Sequence, residues 1–198
     1  MLLRRYSKAY FIVSTAIMAA LSIIFELIPS FRVFWGMKID FVGVIWVLAF
    51  FLYGLYEALC VSAITTIFIL IYSPTGFVGA TMKFVATVPM FLVPAGLLYL
   101  PFFTERTSKA FNRVPIIVVA CILSVVVRIA VCSFVNYYWA VPLFLGIPSS
   151  AVLEKFGGSI LGFVAFVAGM NLLQGIVDVI VPWFLAFKVR LAEYFGTW

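Results

Sequence analysis

Asn171, Gln174 and Asp178 stand at i, i+3 and i+7 within one long apolar run, so on a helix they line a single face. Lys83, Arg128 and Asn136 stand in two other apolar runs. Such groups are expensive in a bilayer and need a partner or a wet cavity. They can balance charge and hydrogen-bond a ligand. The residues for bond-making chemistry are missing. Histidine is absent, which removes the commonest metal ligand and general base. No G-x-x-x-x-G-K-[ST], G-x-S-x-G or H-E-x-x-H occurs, so neither a P-loop nor a standard hydrolase or zincin site is encoded. Cys60, Cys121 and Cys132 lie in apolar runs without C-x-x-C spacing and read as small buried hydrophobes. We expect no enzyme, no metal site and no cofactor. For a small membrane enzyme the best titratable pair, Glu57 or Glu105 with Arg106, is a poor one.

The elements that must position these residues are membrane spans. Apolar residues make up 66% of the 198 and charged residues 10%, against about 45–50% and about 25% in soluble domains. Six runs read as apolar enough and long enough to span a bilayer: Tyr10 to Ile28, then about 41–53, 58–72, 78–100, 116–140 and 160–187. We therefore expect an all-α integral membrane protein of six transmembrane helices, with residues 1–198 forming one domain. The first run spans about 28 Å of helix, whereas secretory h-regions are about 7–15 residues, so it reads as a retained span. Pro89 and Pro94 should kink the fourth. Residues 141–158, rich in Pro, Gly and Ser, read as a loop.

With six spans, both termini share a side. That side holds Arg4, Arg5, Lys8, Arg106, Lys109, Arg113, Lys188 and Arg190; the other holds Arg32, Lys38, Lys83 and Lys155. The excess puts both termini in the cytoplasm and the protein in the cell membrane. The net charge of +6 sits at helix ends and in short loops, so it is not a nucleic-acid footprint.

On this topology Lys83, Asn136, Asn171 and Gln174 fall in the outer half of the bundle, where a ligand can reach them. Arg128 and Asp178 lie deeper, at similar depth on neighbouring spans. For these two the preferred reading is interhelical glue, a buried ion pair. Phe31, Phe34, Trp35, Tyr137, Tyr138, Trp139 and Phe144 surround the cluster; singly they fit an interfacial aromatic belt, together the flat walls of a pocket. Ala16 and Ala20, one turn apart on the first helix, make a smooth patch for a partner helix, a weak signal alone. A small chain with a candidate pocket and no nucleotide site suggests a subunit whose energy comes from elsewhere.

These features resemble the S components of energy-coupling factor (ECF) vitamin transporters, most closely the riboflavin-specific group. The resemblance rests on the six spans, on the A-x-x-x-A at Ala16 and Ala20, and on K-I-D-F at Lys38 to Phe41. It rests further on G-F-V-G-A-T-M-K-F-V-A-T at Gly76 to Thr87, on Asn136-Tyr137-Tyr138 with Pro142, and on Asn171-Leu172-Leu173-Gln174-Gly175. Two positions depart from the group's pattern: Lys83 replaces its usual Asn, and Gln174 its usual Lys. The resemblance implies high-affinity capture of riboflavin at the outer face. It implies delivery with a membrane scaffold subunit and two ABC-type ATPases, with Ala16 and Ala20 as the docking patch. Lys83, Asn136, Tyr137, Asn171 and Gln174 are the expected substrate-binding residues. Lys83 also leaves room for an anionic nutrient, pantothenate or a flavin phosphate; thiamin and a queuosine precursor are further alternatives. An assembly protein held together by its polar stripe is the alternative from another class.

Overall fold

The computed structural model describes residues 7–29, 38–101, 103 and 106–195. Arg4, Arg5, Phe31, Arg32, Phe34, Trp35 and Glu105 lie outside the described residues. Every regular element among those described is helical: α1 Lys8–Leu27, α2 Val42–Tyr53, α3 Leu55–Tyr72, α4 Gly76–Thr87, α5 Pro89–Leu97, α6 Val114–Val135, α7 Val141–Leu145, α8 Ile160–Trp183 and α9 Leu191–Phe195. Five stretches are long and apolar enough to cross a bilayer; α2 is shorter, at 12 residues.

The surface is apolar and the polar groups are inside. Ile12, Ile17, Ile67, Ile71, Val119, Ile122, Leu161 and Leu173 are exposed, whereas Asp178, Gln174, Asn171 and Arg128 are at most 2% exposed. In water that surface would be an aggregation hazard; in lipid it is the expected one, since backbone groups are satisfied within helices.

α2 sits at the centre. All its residues from Val42 to Leu52 are buried, as expected of a helix that is apolar all round. Trp46 donates its indole N–H to Ser22 of α1 at 2.9 Å. Ser108 donates to the Phe51 carbonyl at 2.7 Å, securing the connector before α6. α2 ends at Gly54, whose φ of 111° and ψ of −179° let α3 begin one residue later; glycine reaches that backbone without a Cβ penalty.

Tyr53 touches both Tyr10 (ring centroids 6.1 Å apart) and Phe195 (6.2 Å). The start of α1 and the helix α9 therefore lie at the same end of the bundle. From that end α2 reaches only about 18 Å, against the roughly 30 Å of a bilayer core. The opposite end of the bundle is left without its central helix, and there a cavity opens.

The proline segments follow the expected pattern in part. The fourth run breaks at Val88, immediately before Pro89. The fifth run departs from expectation: instead of a loop from Val141, α6 passes through a π-helical turn, Asn136–Ala140, into α7. Pro142 has no N–H to donate back to Tyr138, and the wider turn absorbs that loss. Phe184–Lys188 makes a second π turn just after Pro182 of α8.

Candidate functional site

The cavity and its open mouth together enclose about 740 Å³ of space between the helices. Its walls come from across the bundle: Glu26 of α1, Lys38 before α2, Ile69 and Ser73 at the end of α3, Val78, Met82 and Lys83 of α4, Arg128, Cys132 and Asn136 around the end of α6, and Asn171 of α8. Phe144 of α7 closes one side.

Two asparagines are held alike. Asn136 donates its amide N–H to the Cys132 carbonyl at 2.8 Å, and Asn171 donates to the Val167 carbonyl at 2.9 Å. Each reaches back one turn, which fixes which amide atom points where. The Asn171 oxygen then accepts from Arg128 Nε at 2.9 Å. The Asn136 oxygen carries no bond of its own among the described residues, and is left for whatever enters the cavity.

The charged groups form pairs. Lys38 Nζ lies 2.5 Å from Glu26 Oε2, an ion pair by proximity rather than an aligned hydrogen bond, and 3.6 Å from Asp40. Lys83 pairs with Asp40. Arg128 pairs with Asp178 at 2.6 Å, as expected for the two deep residues. Asp40 precedes α2 and is buried. Burial opposes its charge, yet Lys83 and then Lys38, with hydrogen bonds from Lys83 and the Val42 N–H, hold its carboxyl below the usual range.

Gln174 explains how Asp40 is held. Its Nε2 donates to the Asp40 carbonyl at 2.7 Å and to Asp178 at 2.7 Å, while its oxygen accepts from the Asp40 N–H at 3.0 Å. Both amide hydrogens are thus committed. Gln174 lies behind the cavity wall and not on it, joining the segment before α2 to the Arg128–Asp178 pair.

Of the expected substrate-binding residues, the fold therefore brings Lys83, Asn136 and Asn171 to one cavity. Tyr137, next along the π turn, points elsewhere and packs edge-on against Phe163 (5.7 Å) and Tyr138 (4.8 Å). Trp139 packs on Phe77 at 5.7 Å, and among the described members of the aromatic set Phe144 alone lines the cavity. Glu26 and Arg128 are wall residues that sequence reasoning did not place there. A carboxylate near the end of an apolar span was the available signal for Glu26. Lys83, expected to offer a charge to an anion, has that charge taken up by Asp40.

Ala16 and Ala20 are exposed on the outer face of α1 with Ile12, Val13, Ile17 and Ile24. Ser14, Thr15, Met18, Ala19 and Ser22 face the bundle.

Comparison with known proteins gives the family and the fold. A family model described as "ECF transporter, substrate-specific component" matches residues 10–186. A solved structure described as the S component of a bacterial ECF transporter superposes with a TM-score of 0.70 at 20% sequence identity, covering 95% of this chain and 98% of that one. No curated protein matches by sequence.

Proposed function

Since the chain belongs to the family of substrate-specific components of ECF transporters, a substrate-binding membrane subunit and not an enzyme, we propose that it captures riboflavin in the cavity at the end of the bundle away from α9. That end then faces outward, with both termini in the cytoplasm of a cell membrane. The delivery partners are the scaffold subunit and two ABC-type ATPases. The observation that carries the reading is the pair of tethered asparagines, Asn136 and Asn171, that line one cavity from two neighbouring parts of the bundle. They occupy the motif positions that resemble those of the riboflavin group. Asn136 offers an open acceptor to a ring N–H, and the second amide hydrogen of Asn171 is free to donate to a ring carbonyl or nitrogen. Phe144 and Met82 supply apolar contact for a flat ring. Gln174 acts at one remove, holding Asp40 in place.

The test is titration of the purified protein with riboflavin, read by quenching of flavin fluorescence. The expected outcome is saturable one-to-one binding. Asn136→Ala and Asn171→Ala should each weaken it by about 1–3 kcal/mol, the cost of a buried group losing its partner, with helical content unchanged. A folded protein that leaves flavin fluorescence untouched, or variants that bind as the parent does, would remove the assignment.

A further inference from the structure

We propose that the cavity selects an electrically neutral ligand and that Glu26 sets this selectivity by cancelling the charge of Lys38. The proposal deepens the reading of this cavity as the substrate site and rests on it. Among the described residues the wall carries Lys38, Lys83 and Arg128 against a single carboxylate, Glu26. Judged from the wall alone, the site would be cationic and suited to a phosphate or carboxylate. Behind the wall stand two more carboxylates, Asp40 and Asp178, 5% and 0% exposed. Each cation has its own: Lys38 takes Glu26 at 2.5 Å, Lys83 takes Asp40, and Arg128 takes Asp178 at 2.6 Å. Three positive charges meet three negative ones, and none of the three cations is left over.

An incoming anion would have to draw Lys38 or Lys83 from its carboxylate. That would strand a buried negative charge, the costliest arrangement an ion pair can be put in. A cation would meet the converse problem at Glu26. An uncharged ligand disturbs none of the pairs, because the open oxygen of Asn136 and the spare amide hydrogen of Asn171 serve hydrogen bonds between neutral groups. Glu26 is the adjustable member. It comes from α1, it lines the cavity, and its carboxylate is not part of the Gln174 lattice that fixes Asp40 and Asp178.

Two probe pairs test this on the purified full chain: riboflavin with riboflavin 5′-phosphate, and pantothenol with pantothenate. In each pair the members differ by an ionised group. Wild-type protein should bind the neutral member more tightly by at least about tenfold, ~1.4 kcal/mol. Equal binding, or preference for the anion, overturns the proposal without any variant being made. Glu26→Gln removes one negative charge at constant shape, so the gap should narrow by about tenfold. Because ligand bulk is unchanged, that narrowing isolates charge. Glu26→Gln combined with Lys38→Gln restores neutrality and should restore the gap. A gap unmoved in Glu26→Gln, or a double variant that behaves as the single one, overturns the role of Glu26. If riboflavin fails to bind while pantothenol binds ahead of pantothenate, the flavin assignment falls and the charge rule stands.

Discussion

Arg128 serves two partners from one guanidinium, donating Nε–H to Asn171 and pairing through Nη1 with Asp178. Asp178 in turn accepts from Gln174, which grips the backbone of Asp40 on both sides. A line of bonds thus runs from the cavity wall through α8 to the start of α2. Taking away Arg128 leaves Asp178 charged, wholly buried and short of a partner. Arg128→Leu should therefore destabilise the protein by about 3–5 kcal/mol, and Arg128→Leu with Asp178→Leu should recover much of that loss, because it leaves no buried charge unpaired, although the Asn171 oxygen and one Gln174 amide hydrogen lose their partners. Thermal unfolding in detergent measures both; single effects that simply add would show that the two residues are not coupled. At this scale the sequence was informative where a polar group broke an apolar run. Lys83, Asn136, Asn171 and the Arg128–Asp178 pair were legible because intramembrane polar groups must face protein or a wet cavity. The roles of Gln174 and Tyr137 were not, since spacing gives a helix face but not which neighbour has already taken the hydrogen bonds. Glu26 shows the complementary gap: its meaning depends on Lys38, twelve residues away across a connector.

Elements carry the cavity through their lengths and their close approaches. α2 is short, and the segment before it is pinned by Asp40 accepting from the Val42 N–H at 2.9 Å. Directly after, Gly43 lets α2 approach α8: a Cβ there would lie 2.5 Å from Cγ and 2.7 Å from Oδ2 of Asp178. That carboxylate is bonded to Arg128 and Gln174, so moving it aside strains both bonds. Gly43→Ala should cost about 1–3 kcal/mol, as overpacking does, and should weaken ligand binding by displacing Asp178 from Arg128. Gly169→Ala on α8 is the control. Nothing lies within 4 Å of a Cβ at that site, and alanine there should be neutral or slightly stabilising. Equal melting temperatures for the two variants would mean that Gly43 does not hold the floor of the site. The six apolar runs and the break before Pro89 were visible in hydropathy and in proline alone. The π turn at Asn136–Ala140 was not: it depends on a missing N–H at Pro142 being absorbed without ending the helix, and proline plus glycine between spans reads more simply as a loop.

At the scale of the molecule, the cavity and the outer face of α1 are separate. The cavity meets α1 only at Glu26, in its last turn. Ala16 and Ala20 lie about 9–15 Å back along the helix at about 1.5 Å per residue, on the side away from the bundle. An A-x-x-x-A packed inside would have been ordinary internal helix contact; facing outward, it is a smooth strip left exposed among the described residues. A membrane helix can approach such a strip closely, and a bulky side chain there blocks the approach. If this strip receives the scaffold subunit, Ala16→Trp with Ala20→Trp should leave riboflavin binding by the isolated protein unchanged. It should abolish uptake into vesicles that contain the whole transporter, and co-purification with scaffold and ATPase subunits should fall in parallel. Full uptake by the double variant would rule out docking through this face. Loss of binding together with uptake would mean that strain on α1 reaches the cavity through Glu26 and Lys38. The Glu26→Gln variant, assayed for uptake beside it, tells these apart, because it alters the cavity end of α1 while leaving the alanine strip intact.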